Sequence, residues 1–263
     1  MKLKDVLIVY THPAYGEYKS TLEIAKYILK KYGITYKLAD RDKLKKEQFL
    51  GKGMVIAIGG DGTFLRAAQF IKKQLLFGVN ADIHNKEGFY MNSSKRDFEA
   101  KLKKIMKNEF EIKKLPRLEA RINSKKIGAL ALNEFFIGPK KAYHAAKYIV
   151  EINGRKERQK SSGILVTTPS GSYAWAKACH GRTLPLKSKK YQFVVREPYE
   201  GKVFKNYGVK YKILGKNQKV KINSEMLDGV IVADSVGKEY SFKNGSTATI
   251  GLSGQCLMAV QTE

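Results

Sequence analysis

Apolar and polar positions alternate along the first third of the chain in blocks of two kinds. Residues 6–10, Val-Leu-Ile-Val-Tyr, form an unbroken apolar run, the pattern of a strand buried on both faces. Between residues 20 and 32, Leu22, Ile24, Ala25, Tyr27, Ile28 and Leu29 recur at mixed three- and four-residue steps. That spacing predicts a helix, with Ser20 or Thr21 as its N-cap and Gly33 as its terminator. Residues 34–38 and 54–58 read as two further strands, residues 64–73 return to helical spacing, and 75–80 form another strand. Strands alternating with helices predict a layered α/β unit with parallel strands.

The pattern changes after about residue 109. Segments 111–123, 148–153, 191–196, 210–214, 219–223, 230–233 and 239–242 read as strands, many alternating and bounded by Gly, Asn or Lys. Residues 98–108 predict a joining helix, and 174–179 a short helix inside the β-rich part. The expected architecture is α/β plus all-β: an N-terminal Rossmann-like α/β domain with a parallel sheet, followed by a β-rich, β-sandwich-like domain. We place the first domain at 1–109, the second at 110–245, and a C-terminal segment at 246–263. There is no internal repeat or low-complexity stretch.

Composition narrows the classes. The chain has 263 residues, 43% of them hydrophobic, enough for a sizeable core. The longest apolar runs fall far short of the roughly 20 residues of a membrane span. Residues 1–5 run straight into the first strand with no signal or transit pattern, so a cytoplasmic location is expected. Cys179 and Cys256 lie far apart, and the four histidines form no ligand cluster. We therefore expect neither a disulfide nor a tightly bound metal. The formal net charge is +26, which favours polyanionic partners. Its lysines, however, are scattered as pairs such as Lys30-Lys31 and Lys72-Lys73, with no basic tail or nucleic-acid motif. They read as solvated faces, leaving no nucleic-acid or membrane partner expected and a field that attracts nucleotide phosphates.

Three short motifs carry chemistry. Gly59-Gly60-Asp61-Gly62-Thr63 follows a predicted strand and opens a predicted helix. Glycines there let the backbone turn tightly and approach a phosphate, and the helix N-terminus favours negative charge. A carboxylate in such a turn either caps the helix or acts: it accepts a hydroxyl proton or helps to hold Mg²⁺. In the second motif, residues 132–138, Asn133 both donates and accepts, and Glu134 can accept from two vicinal hydroxyls of a ribose. Read alone, the segment is also a plain strand start. The third, residues 167–175 (Thr-Thr-Pro-Ser-Gly-Ser-Tyr-Ala-Trp), sets small hydroxyl residues around a glycine as a backbone nest. Tyr173 and Trp175 there either offer faces to a base or pack as core.

In this order the three motifs resemble the NAD kinase family, over most of the chain from Val55 to about Ser246. Residues 132–138, 159–163 and 196–198, together with Gly78-Val79-Asn80-Ala81-Asp82, are most similar to the branch holding the animal mitochondrial-type enzyme. The resemblance implies transfer of the ATP γ-phosphoryl group to the 2′-hydroxyl of the adenosine ribose of NAD, with Mg²⁺ accompanying ATP. It implies Asp61 as the catalytic base, Gly60, Gly62 and Thr63 at the phosphate turn, and Asn80 near the nucleotide. Asn133 and Glu134 match the pair that holds NAD, and Ser172, Tyr173 and Ala174 match the segment lining adenine and ribose. Ser162 falls where most of the family has an aspartate, and Asp234 where the late β domain carries one. A homodimer or homotetramer is implied, as is a final segment, around residues 247–252, that packs back on the first domain.

Tyr173 stands in place of the family's usual threonine, Trp175 in place of its tyrosine. Two other readings stay open on the residues. A lipid or sphingoid-base kinase shares the glycine-rich turn, but lacks the Asn-Glu pair and the later nest. A non-catalytic binder of nucleotides or nucleic acid is suggested by the charge.

Overall fold

The apolar runs of the first third become the centre of a parallel sheet in the computed structural model, which describes residues 3, 5–12 and 16–263. Met1, Lys2 and Lys4 of the expected leaderless start lie outside the described residues. The elements in order are β1 (Asp5–Tyr10), α1 (Glu17–Lys31), β2 (Thr35–Asp40), β3 (Met54–Gly59), α2 (Asp61–Ala68), β4 (Leu75–Asn80), β5 (Ser93–Ser94), α3 (Phe98–Met106) and β6 (Glu111–Leu115). The sheet order is β2-β1-β3-β4, then a C-terminal strand (Leu257–Gln261), then β6, with β5 paired to β4. β1 pairs in parallel with both β2 and β3, and β4 with β3 and the C-terminal strand. β3 and β4 are buried at every residue, as their near-continuous apolar sequences require. Ile8, Ile56 and Phe77 pack in one cluster with Leu22, Ala25 and Leu29 of α1 and Phe98, Leu102 and Ile105 of α3.

α1 begins one turn before the predicted cap. Ser20 and Thr21 lie inside it, and both hydroxyls donate back to the carbonyl of Glu17, at 3.2 and 2.8 Å. It ends as expected, with Gly33 at φ 66° and the Ile34 amide reaching back to the Leu29 carbonyl.

The chain divides into two compact units. The first comprises Met1–Lys114 and Leu257–Glu263, the second Leu115–Cys256. The second unit contains β7 (Leu118–Ile122), β8 (Lys125–Ala131), β9 (Glu134–Pro139), β10 (Ala146–Ile152), β11 (Arg155–Ser161), β12 (Gly163–Thr167), α4 (Trp175–Ala178), β13 (Tyr191–Arg196), β14 (Tyr211–Leu214), β15 (Val220–Ser224), β16 (Gly229–Ala233), β17 (Tyr240–Ser241) and β18 (Thr247–Leu252). Two six-stranded sheets result, ordered β11-β10-β15-β18-β7-β8 and β14-β13-β12-β9-β16-β17. Alternate residues of both sheets, among them Tyr148, Val150 and Ile222 from the first and Phe135, Ile164 and Phe193 from the second, share one core.

The single strand expected over 111–123 is two strands, because Pro116 has no amide to donate and the chain breaks there. The segment that joins the first sheet is Leu257–Gln261. Residues 247–252 form β18, paired with β15 and β7 inside the second unit. Among the described residues, no helix is long and apolar enough to cross a membrane.

Candidate active site

In the first unit the strand order reverses between β1 and β3, and ligands of open α/β sheets bind beyond the carboxyl ends of strands at such a point. Thr11 follows β1 there, and Gly60 follows β3. Gly60 is extended (φ −121°, ψ −171°), and α2 starts at Asp61. The tightest glycine of the turn is Gly59: a Cβ on it would lie 2.3 Å from Thr63 Oγ1. The Thr63 hydroxyl is buried and ties three elements together. It accepts from Arg41 at 3.1 Å and shares a hydrogen bond with Thr11 Oγ1 at 3.1 Å.

The Asp61 carboxylate is held by backbone. Oδ2 accepts from the Phe89 amide at 3.1 Å and Oδ1 from the Tyr90 amide at 2.9 Å. That cradle depends on Gly88 (φ 67°), whose Cβ would meet Asn80 Nδ2 at 2.5 Å. Asn80, at the end of β4, in turn accepts from the Asp82 amide at 3.0 Å. Tyr90 stacks on Phe64 of α2, centroids 4.9 Å apart and planes at 4°. A cleft of about 490 Å³ opens here, lined by Thr11, Arg41, Gly60, Asp61, Gly62, Arg66 and Lys86 with Asn85 and Glu87. It offers backbone at a helix N-terminus, three cations and one fixed carboxylate, the elements of a phosphoryl-transfer site.

In the second unit Asn133 immediately precedes β9 and Glu134 opens it, and both are buried. Asp234, at φ 55°, turns its carboxylate onto this backbone. Oδ1 accepts from Asn133 at 2.6 Å and Glu134 at 3.3 Å, and Oδ2 from Leu132 at 2.9 Å. The other side of the same backbone meets the third motif. Thr167 Oγ1 donates to the Asn133 carbonyl at 2.9 Å and Thr168 Oγ1 to the Leu132 carbonyl at 2.6 Å. Gly171 packs so closely that a Cβ would stand 2.1 Å from the Asn133 carbonyl oxygen. Ser172 Oγ donates to Pro169 at 2.6 Å and accepts from the Leu184 amide at 2.8 Å.

Within this network, Glu134 Oε2 is buried with no hydrogen-bond partner among the described residues. Burial, and then the neighbouring charge of Asp234, push its carboxyl up to about 8. A buried acceptor left unmatched is costly, and a ligand hydroxyl would satisfy it.

The structure thus brings Asn133, Glu134, Ser172 and Asp234 into one hydrogen-bonded region, with Tyr173 and Ala174 at its exposed margin. Gly60, Asp61, Gly62, Thr63 and Asn80 gather at the strand ends of the first unit. Ser162 stands apart from the nest: it precedes β12 while Thr167 ends it, a strand length of about 15 Å. Its amide donates to the Arg196 carbonyl at 3.1 Å. Trp175 is stacked on Phe136 at 5.4 Å and lies under the Arg196 guanidinium at 4.4 Å, which anchors the 171–175 segment. Sequence reasoning passed over Arg41, Arg66, Lys86 and the 89–90 amides. Arg41 carried a usable signal, since it immediately follows a parallel strand.

A parallel sheet with a glycine turn in one unit and an antiparallel β unit with a buried Asn-Glu pair in the other make the chain an α/β plus all-β protein. No family model matches the chain. It is 32% identical over 186 residues to NAD kinase 1 of Oceanobacillus iheyensis, a match covering 68% of this chain and 65% of that protein. To the NAD kinase of Lysinibacillus sphaericus it is 31% identical over 192 residues, 71% of this chain and 68% of the relative. The fold superimposes on an NAD kinase from Archaeoglobus fulgidus solved in complex with ATP, with a TM-score of 0.77 and 22% identity, covering 98% of this chain and 93% of that one. The chain belongs to the NAD kinase family.

Proposed function

We propose that this chain transfers the γ-phosphoryl group of ATP to the 2′-hydroxyl of the adenosine ribose of NAD, giving NADP and ADP. The observation that carries the reading is Asp61: a carboxylate fixed by two backbone amides at the head of α2, in a cleft that also holds Arg41, Arg66 and Lys86. In this reading Asp61 takes the 2′-hydroxyl proton as the oxygen forms its bond to the γ-phosphorus. The bond from γ-phosphorus to the bridging oxygen breaks, and ADP leaves. Gly60 and Gly62 admit the phosphates, and Thr63 holds the turn in shape. Asn80 fixes the loop that cradles Asp61.

Asn133 and Glu134 bind the NAD ribose hydroxyls, with Asp234 holding their backbone. Ser172, Tyr173 and Ala174 border adenine and ribose, and Ser162 sits further along the dinucleotide. Asp61, Asn85 and Glu87 supply hard oxygen donors in the cleft, a set that suits Mg²⁺ carried in by ATP phosphates rather than a closed protein cage. When bound, Mg²⁺ neutralises phosphate charge. We place the enzyme in the cytoplasm, as a homodimer or homotetramer.

The test is turnover of purified protein with NAD, ATP and Mg²⁺, NADP being read by an NADP-specific dehydrogenase. The wild type forms NADP, and Asp61→Asn retains NAD binding while losing roughly 10²–10⁴-fold in turnover. Near-normal turnover by the variant would remove Asp61 from its role, and no NADP from the wild type would remove the reaction.

A further inference from the structure

Arg41 is the first residue beyond β2, its amide bonded to the Tyr10 carbonyl at 3.0 Å, so its side chain leaves the sheet at the same end as the glycine turn. Its Nη1 donates to Thr63 Oγ1 at 3.1 Å, but its Nε is buried with no hydrogen-bond partner among the described residues. Arg66, one turn into α2, reaches back along the helix, and its Nη1 stands beside Gly62, 3.8 Å from where a Cβ would lie.

One carboxylate aligns both guanidinium groups. Asp42 Oδ1 lies 3.1 Å from Arg66 Nε, and Oδ2 lies 3.6 Å from Arg41 Nε. Two guanidinium groups have ten N–H donors, and a single shared carboxylate with one threonine hydroxyl uses few of them. Both residues are roughly 70% covered (27% and 30% side-chain exposure), although arginines free of a task extend into solvent. The two guanidinium groups with Asp42 carry one net positive charge between them, and their remaining donors match the oxygens of a phosphate chain.

We propose that Arg41 and Arg66, aligned by Asp42, form a clamp for the terminal phosphates of the phosphoryl donor. The clamp rests on the reading of the cleft as a donor site. It assigns donor recognition to two side chains outside the glycine motif. Arg41 holds the phosphate chain from the strand side and Arg66 from the helix side, so the transferred group is fixed relative to Asp61. These are positioning residues: they act on the donor and leave the acceptor alone.

The experiment uses inorganic tripolyphosphate as probe. In the wild type, phenylglyoxal modification of Arg41 and Arg66, mapped by mass spectrometry, is expected to be suppressed by tripolyphosphate and not by NAD. Arg41→Ala and Arg66→Ala are each expected to raise KM for ATP and the inhibition constant of tripolyphosphate about 10- to 100-fold, as for loss of a charge-assisted hydrogen bond. The dissociation constant for NAD stays within about twofold in both variants. Arg41→Lys recovers charge without the planar fork and restores only part of the loss. Equal labelling of the wild type with and without tripolyphosphate, or unchanged KM for ATP in both alanine variants, overturns the clamp. The labelling needs no turnover and no variant, so a wild type that makes no NADP defeats the proposed reaction while the clamp is still judged.

Discussion

Glu134→Gln separates the pH behaviour of one buried carboxyl from everything else in the second unit. In the native state burial and Asp234 hold the Glu134 carboxyl at about 8, against an ordinary value of 4.5. Between those two values the folded chain keeps a proton that the unfolded chain releases. Native stability from this group is therefore fully present below about pH 4.5 and is lost as pH rises towards 8. The whole displacement corresponds to on the order of 5 kcal/mol, close to 1.4 kcal/mol per pH unit inside the window. Glutamine is isosteric and does not titrate. Urea unfolding followed by the fluorescence of Trp175, the sole tryptophan and a member of the same unit, reads the effect. Relative to wild type, the variant should gain about 2–3 kcal/mol between pH 5.5 and 7.5 and then level off above 8. Any fixed cost of the new amide shifts the difference by a constant and leaves its slope intact. Wild-type and variant stabilities that run parallel across this range would refute the assignment of a buried, protonated Glu134.

Two further expectations follow from the packing. Gly59→Ala places a methyl 2.3 Å from Thr63 Oγ1, forcing the turn apart; it should cost about 1–3 kcal/mol in thermal or urea unfolding and most of the NADP-forming activity. Asp234→Ala strips the acceptor from the buried 132–134 amides; a loss of about 2–4 kcal/mol is expected by denaturant titration, with weaker NAD binding, whereas unchanged stability would show that water replaces the carboxylate.

Sequence legibility followed burial only in part. β3 and β4, sealed on both sides, announced themselves as apolar runs, and β13 was bounded to the residue. β11 and β8, the edges of their sheet, escaped, and so did the fully buried β12 and the C-terminal strand Leu257–Gln261. β11 reads Arg-Lys-Glu-Arg-Gln-Lys-Ser, because a strand with one free side can carry charge and is protected by it from pairing with another chain. Likewise α1 starts at Glu17 because hydroxyls inside a first turn can bond back to a carbonyl as well as cap, and local sequence does not separate the two. At the sites, the glycine turn and the Asn-Glu pair were visible as motifs. The Phe89 and Tyr90 amides were not, since a backbone donor carries no side-chain signature. Asp234 was visible only as a position; its hold on residues about a hundred positions earlier is a product of the β9–β16 pairing.

The two proposed functional carboxylates are built on opposite principles, and the contrast assigns their tasks. Asp61 stands half-buried at a helix N-terminus with a backbone N–H on each oxygen, an arrangement that fixes the direction of the carboxylate. It can receive a proton in a defined geometry without first being desolvated. Glu134 is sealed beside another acid with one oxygen unmatched, an arrangement that favours the neutral form until something donates to it. A ribose offering two hydroxyl donors meets that need and weakens the cost of ionisation in the same act. Exchanging the two residue types would not exchange the roles, because backbone amides define one site and the Asp234 carboxylate defines the other.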